Sequence, residues 1–124
     1  MKLQEIVELA QGSLLSRNTV PDLDITSCGA GDLMSDVLAN VKADSLLITG
    51  LVNAQSVRTA EMADIRVLIY VRGKVPDPWT VKLAEEAGIS LIVSPLGMYE
   101  MCGRFYQAGF VPMRRLHEKQ VMPG

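Results

Sequence analysis

Ser45-Leu-Leu-Ile-Thr-Gly-Leu-Val-Asn-Ala-Gln-Ser-Val-Arg-Thr-Ala-Glu-Met-Ala-Asp-Ile-Arg-Val-Leu-Ile-Tyr-Val-Arg-Gly73 decides the fold. Leu46-Leu47-Ile48 and Val67 to Val71 are apolar runs without polar alternation, which suits strands covered on both faces. Between them, Ala54 to Ala63 has helical spacing, with Asn53 as its cap and Val57, Ala60 and Ala63 facing inward. The stretch therefore reads as one strand–helix–strand unit of a parallel sheet.

Working outward, the same alternation continues on both sides. Leu3, Ile6, Val7 and Ala10 form the apolar stripe of a first helix, ended by Gly12. Ser13 to Arg17 suits a short strand, Asn18 to Asp22 a turn, and Leu23 to Ser27 an alternating strand. Cys28-Gly-Ala-Gly-Asp32 reads as a glycine-bearing bend, with Asp32 capping a second helix over Leu33–Val41. That helix would bury Leu33, Val37, Leu38 and Val41. Asp77-Pro78 is a strong helix start, and Val81, Ala84 and Ala87 face inward before Gly88. Ile89 to Val93 is the last strand. Met98, Met101, Cys102 and Phe105 form the inner stripe of a last helix that stops at Gly109.

Alternation with short loops predicts an α/β fold: a three-layer α/β/α sandwich with a mostly parallel sheet and right-handed crossovers. One domain is expected over residues 1–109, with 110–124 as a C-terminal tail. The chain has 124 residues, 48% of them apolar, enough for a core of its own. A net charge of −2 with interspersed signs is no polyanion footprint, so nucleic acid is not an expected partner. Glu5 and Glu8 interrupt the apolar pattern at the amino end, which excludes a signal peptide there. No apolar run has the roughly 18 residues of a membrane span, so a cytoplasmic location is expected. Cys28 and Cys102 form no C-x-x-C pair and read as reduced thiols; an iron–sulfur cluster would need more thiolates than two.

In an open parallel sheet, ligands favour the crevice beyond the carboxyl ends of the strands. Ser27–Asp32, Thr49–Asn53, Arg72-Gly73 and Ser94–Gly97 fall there. They offer Gly29, Gly31, Asp32, Gly50, Asn53, Arg72 and Gly73, with Arg58 as a second cation, for a small anion or nucleotide. Gly29-x-Gly31 is only a fragment of a dinucleotide fingerprint, and no phosphate-loop motif occurs. His117, the only histidine, reads as a solvated tail residue, so no nucleophile–histidine pair is expected. The aspartates at turns are explained by capping without a metal. Cys28 near a helix start is a candidate for a lowered thiol pKa, against the alternative of a small buried side chain. No enzyme activity, metal or cofactor is expected.

The ordered set of Gly31–Asn40, Leu46–Gly50, Arg58–Asp64, Pro76–Pro78 into Leu83–Ile89, and Pro95-Leu96 before Tyr99–Phe105 resembles the DRTGG domain family. The resemblance covers roughly Gly12 to Gly109. It implies a fold akin to the amino-terminal domain of HPr kinase/phosphorylase, and a regulatory or dimerising module beside a catalytic part. The middle segment is similar to stand-alone versions found with iron-only hydrogenase systems, implying a redox enzyme or hydrogenase subunit as partner. Leu51-Val52 follows Thr49-Gly50 where the family has Asp-Arg, and Val71-Arg72-Gly73 stands where Thr-Gly-Gly is typical. Apolar residues at this edge, with Phe110, Val111 and Met113 of the tail, are the expected contacts of a homodimer or docked partner. The competing expectation is a sensor of an adenine nucleotide or another anion through Arg72.

Overall fold

The computed structural model describes residues 1–17, 23–40 and 42–113. Its six strands form one sheet in the order β1-β5-β4-β3-β2-β6. Here β1 is Ser13–Leu14, β2 Ser27–Ala30, β3 Leu46–Thr49, β4 Val67–Tyr70, β5 Ser90–Val93 and β6 Val111–Pro112. All neighbours run parallel except β1, which is antiparallel to β5. Among the described residues five helices cover the sheet: α1 Leu3–Leu9, α2 Met34–Asn40, α3 Ala54–Met62, α4 Pro78–Glu86 and α5 Met98–Gln107.

The unalternating apolar runs have the expected physical cause. Every residue of β3 and β4 is buried. Leu47, Leu68, Tyr70 and Leu91 pack with Met34 and Val37 of α2, Val57 and Ala60 of α3 and Ala84 of α4. Their neighbours Leu46, Ile48, Val67, Ile69 and Ile92 point the other way, against Leu3 and Ile6 of α1 and Met101 and Phe105 of α5. The result is the three-layer α/β/α sandwich with a mostly parallel sheet.

Helix ends follow local rules, with one reassignment. Asn53 accepts the Ser56 amide at 3.3 Å, and Asp77 accepts the Thr80 amide at 2.7 Å ahead of Pro78. Helix α1, however, turns out of its last turn at Gln11, with φ 51°, not at Gly12. The Gln11 amide bonds Glu8 O and the Gly12 amide bonds Val7 O, the paired bonds of a left-handed helix end. Gly12 serves a different need. A Cβ there would lie 2.6 Å from the Ile92 side chain and 2.8 Å from the Val93 carbonyl, so the chain passes β5 too closely for any side chain.

Three expectations are corrected. Residues 28–32 are not a bend: Cys28, Gly29 and Ala30 pair with Leu46, Leu47 and Ile48, so the glycine lies inside β2. Of the alternating run before it, only Ser27 enters β2; Asp24 makes a bridge to Lys2, and the Ile25 amide bonds Met1 O. Helix α2 starts at Met34, so Met34 and Val37 face the sheet, while Leu33 is 67% exposed and Leu38 is also exposed. Finally, the sheet does not end with β5. Val111 and Pro112 add a sixth strand on β2, and Met113 is buried in the core beyond it. Proline is tolerated because β6 is an edge. Asn18–Asp22, Val41 and His117 lie outside the described residues.

Candidate functional site

The carboxyl ends of β2, β3, β4 and β5 open on one rim, and the four loops there are tied together by specific bonds. Asp32, two residues past β2, reaches across to the end of β3. Its Oδ1 accepts the Gly50 amide at 2.7 Å and the Thr49 hydroxyl at 3.1 Å. It is therefore a clamp between strand ends, not the cap of α2. At the end of β4, the Arg72 amide donates to Leu96 O at 2.8 Å and the Gly73 amide to Ser94 O at 2.7 Å. These bonds hold Arg72 at φ 60°, a left-handed conformation unusual for a non-glycine residue, followed by Gly73 at φ 68°.

The guanidinium of Arg72 is consequently brought over Gly50. A point 3.4 Å from Arg72 Nη2 is also 3.4 Å from both Asp32 carboxylate oxygens, at the place a Gly50 Cβ would take. Lys74 Nζ donates to Gly50 O at 3.5 Å. Asp32, Gly50 and Arg72 thus converge, joined by Thr49, which the sequence places on the rim without singling it out, and by Lys74, which sequence reading passed over. Thr49 had a signal, being the one hydroxyl at the end of an otherwise aliphatic strand. Chemically the cluster offers two cationic donors around one carboxylate. The Gly50 amide is already satisfied by Asp32, so an incoming anion would meet Arg72 and Lys74 first.

Beside this rim a cavity of about 360 Å³ lies between β2, α2 and the end of β6, lined by Gly29, Gly31, Asp32, Asp36, Val37 and Met113. A Cβ at Gly29 would overlap the Met113 side chain, so any larger residue here would displace that flexible methionine. The remaining expected ligand residues fall elsewhere. Asn53 is spent on capping α3. Arg58 is exposed on α3, and among the described residues it makes no hydrogen bond or ion pair with the rim. Of the expected docking residues, Leu51 and Val52 are half-buried against the core, and Phe110 stacks edge-on against Phe105 with ring centroids 4.9 Å apart. Met113, buried under β2, is committed within the chain. Val111 is the one left exposed.

Cys28 does not have an activated thiol. Burial, and secondarily the neighbouring Cys102 thiol, push its pKa up to about 12, and burial also raises that of Cys102. Both thiols border one apolar cavity of about 250 Å³ between β2, β6 and α5, a juxtaposition invisible in the sequence. At neutral pH iodoacetamide is expected to label Cys28 well below the rate of an unhindered cysteine, whose pKa is about 8.5. Equal rates, read by mass spectrometry, would show that this thiol is not shielded. Among the described residues there is no group of three His, Cys, Asp or Glu side chains placed to hold a metal, and no helix is long and apolar enough to cross a membrane.

An open, mostly parallel sheet between two helical layers defines an α/β module, and its polar cluster lies at the carboxyl rim, where such sheets favour ligands. Its fold is similar to part of a solved structure. The crystal structure of the CBS and DRTGG domains of the regulatory region of Clostridium perfringens pyrophosphatase, complexed with the activator diadenosine tetraphosphate, superimposes with a TM-score of 0.69 at 14% identity. The match covers 90% of this chain and 48% of that one, so this chain spans about half the length of its structural neighbour. A DRTGG-like fold is thereby supported. No protein-family model matches the sequence, and no curated protein matches it.

Proposed function

We propose that this chain is a non-catalytic regulatory module that works as a homodimer and serves a redox enzyme of the iron-only hydrogenase kind. The observation that supports it is the shared fold, over nine-tenths of the chain, with a region described as regulatory. The hydrogenase partner is implied by the likeness of the Thr49–Asp64 segment to stand-alone DRTGG proteins. Titrating the purified chain into an iron-only hydrogenase under reducing conditions tests this. A saturable change in hydrogen evolution is expected; no binding and no change would end that assignment.

A second reading is favoured by Arg72 and Lys74 above Gly50: the rim senses an anion, an adenine nucleotide in the first instance. The neighbour's diadenosine tetraphosphate activator makes that ligand and the adenosine mono-, di- and triphosphates the probes to use. One of them is expected to raise the melting temperature of the wild type. Arg72→Ala removes charged hydrogen bonds, so it should weaken binding about ten- to hundredfold. If none stabilises the wild type, or Arg72→Ala binds equally well, the rim is not an anion sensor.

A further inference from the structure

The two ionised groups that face Gly50 are not spent on one another. Both hydrogen bonds that Asp32 accepts, from the Gly50 amide and the Thr49 hydroxyl, fall on Oδ1. Among the described residues, Asp32 Oδ2 and the Arg72 guanidinium have no hydrogen-bond partner, and no ion pair joins them. Yet Oδ2 and Arg72 Nη2 each lie 3.4 Å from one point, the place a Gly50 Cβ would take. Glycine at this position keeps that point clear, with an acceptor on one side of it and a donor on the other. Asp32 and Arg72 are both exposed, so a ligand can reach them.

Charge decides what kind of group suits this place. An oxyanion over Gly50 would be drawn by Arg72 and Lys74 but set against the Asp32 carboxylate. A cation would meet the reverse conflict. A neutral group that gives one hydrogen bond and takes another satisfies both sides: a hydroxyl donates to Oδ2 and accepts from Arg72. In a nucleotide such hydroxyls lie on the ribose, next to the phosphates. Lys74 and the other guanidinium nitrogens of Arg72 are then left for the phosphate charge. A carboxylate holding a ribose hydroxyl is a usual feature of strand-end dinucleotide sites. Asp32 also borders the cavity of about 360 Å³, whose lining includes the apolar Val37 and Met113. A Cβ at Gly31 would meet nothing within 4 Å, so a flat base has room beside the sugar.

We propose that Asp32 holds a ribose hydroxyl, so that the ligand of this rim is a ribonucleoside phosphate and not a bare oxyanion. This rests on the anion-sensor reading and names the class of ligand that the sensor takes. The test is isothermal titration calorimetry of the full chain with ATP, 2′,3′-dideoxy-ATP and inorganic tripolyphosphate, repeated on Asp32→Asn. ATP is expected to bind, and the other two to bind about tenfold or more weakly, because each leaves the carboxylate without its hydroxyl. Asp32→Asn keeps one acceptor for the Gly50 amide and loses the second. It should bring ATP down to the affinity of the dideoxy nucleotide. The comparison of ligands on the wild type decides the matter even if that variant fails to fold. Equal binding of ATP and dideoxy-ATP, or of ATP and tripolyphosphate, would overturn the hydroxyl contact and leave the anion sensor standing. No binding of ATP to the wild type would remove the contact together with the ATP-sensing role of the rim.

Discussion

Truncating Phe105 to alanine is expected to lower the stability of the domain by about 3–5 kcal/mol, the range for deleting a fully buried aromatic ring. The ring is 1% exposed and lies between α5 and the sheet, in the layer that holds Ile48 and Ile69. It is also the surface on which Phe110 stacks at an interplanar angle of 79°, just before the chain enters β6. The damage should therefore spread in a specific direction. In urea titrations the midpoint falls, and by amide hydrogen exchange Val111 and Met113, which donate to Thr26 O and Cys28 O, lose protection before β3 and β4 do. Uniform loss across the sheet would mean that α5 and β6 are not coupled through this ring.

Replacing Gly12 by valine is expected to be the next most damaging change. The first atom of any side chain would overlap the Ile92 methyl group and approach the Val93 carbonyl at 2.8 Å. A carbonyl in a sheet cannot move aside as a flexible side chain can, so β1 must separate from β5. Overpacking of this kind costs typically about 1–3 kcal/mol, and here the Ser13–Val93 and Leu14–Ile92 pairs are lost as well. Thermal unfolding measures it. An unchanged melting temperature would show that the close passage of residue 12 over β5 is not a constraint.

The sequence made the centre of the fold legible because its signals are local. Leu46–Ile48 and Val67–Val71 are apolar on consecutive residues, which a sheet covered on both faces requires. Asn53 and Asp77-Pro78 announce helix starts within a few residues. The edge of the sheet was not legible because its cause is distant. Ser27–Ala30 has the small residues of a turn, but the space above Gly29 is filled by Met113, far along the chain. Without that contact the glycine suggests a bend, and without β2 as a template Val111–Pro112 suggests a tail. The same holds for the rim. Its members lie on the loops the alternation places there, and Arg72, Gly50 and Asp32 do converge. Asp32 reads as a cap from its neighbours, whereas its bonds cross to a strand 17 residues on, at Thr49. Asn53, in the loop after β3, spends its side chain on the Ser56 amide, and Arg58 stands exposed on α3.

The centre of the functional account is a pair of chains acting as one regulatory unit. Light scattering of the purified, full-length chain at micromolar concentration in reducing buffer tests it most directly. The account predicts twice the mass of a single chain, constant on dilution through the low micromolar range. The mass of one chain at every concentration would contradict it.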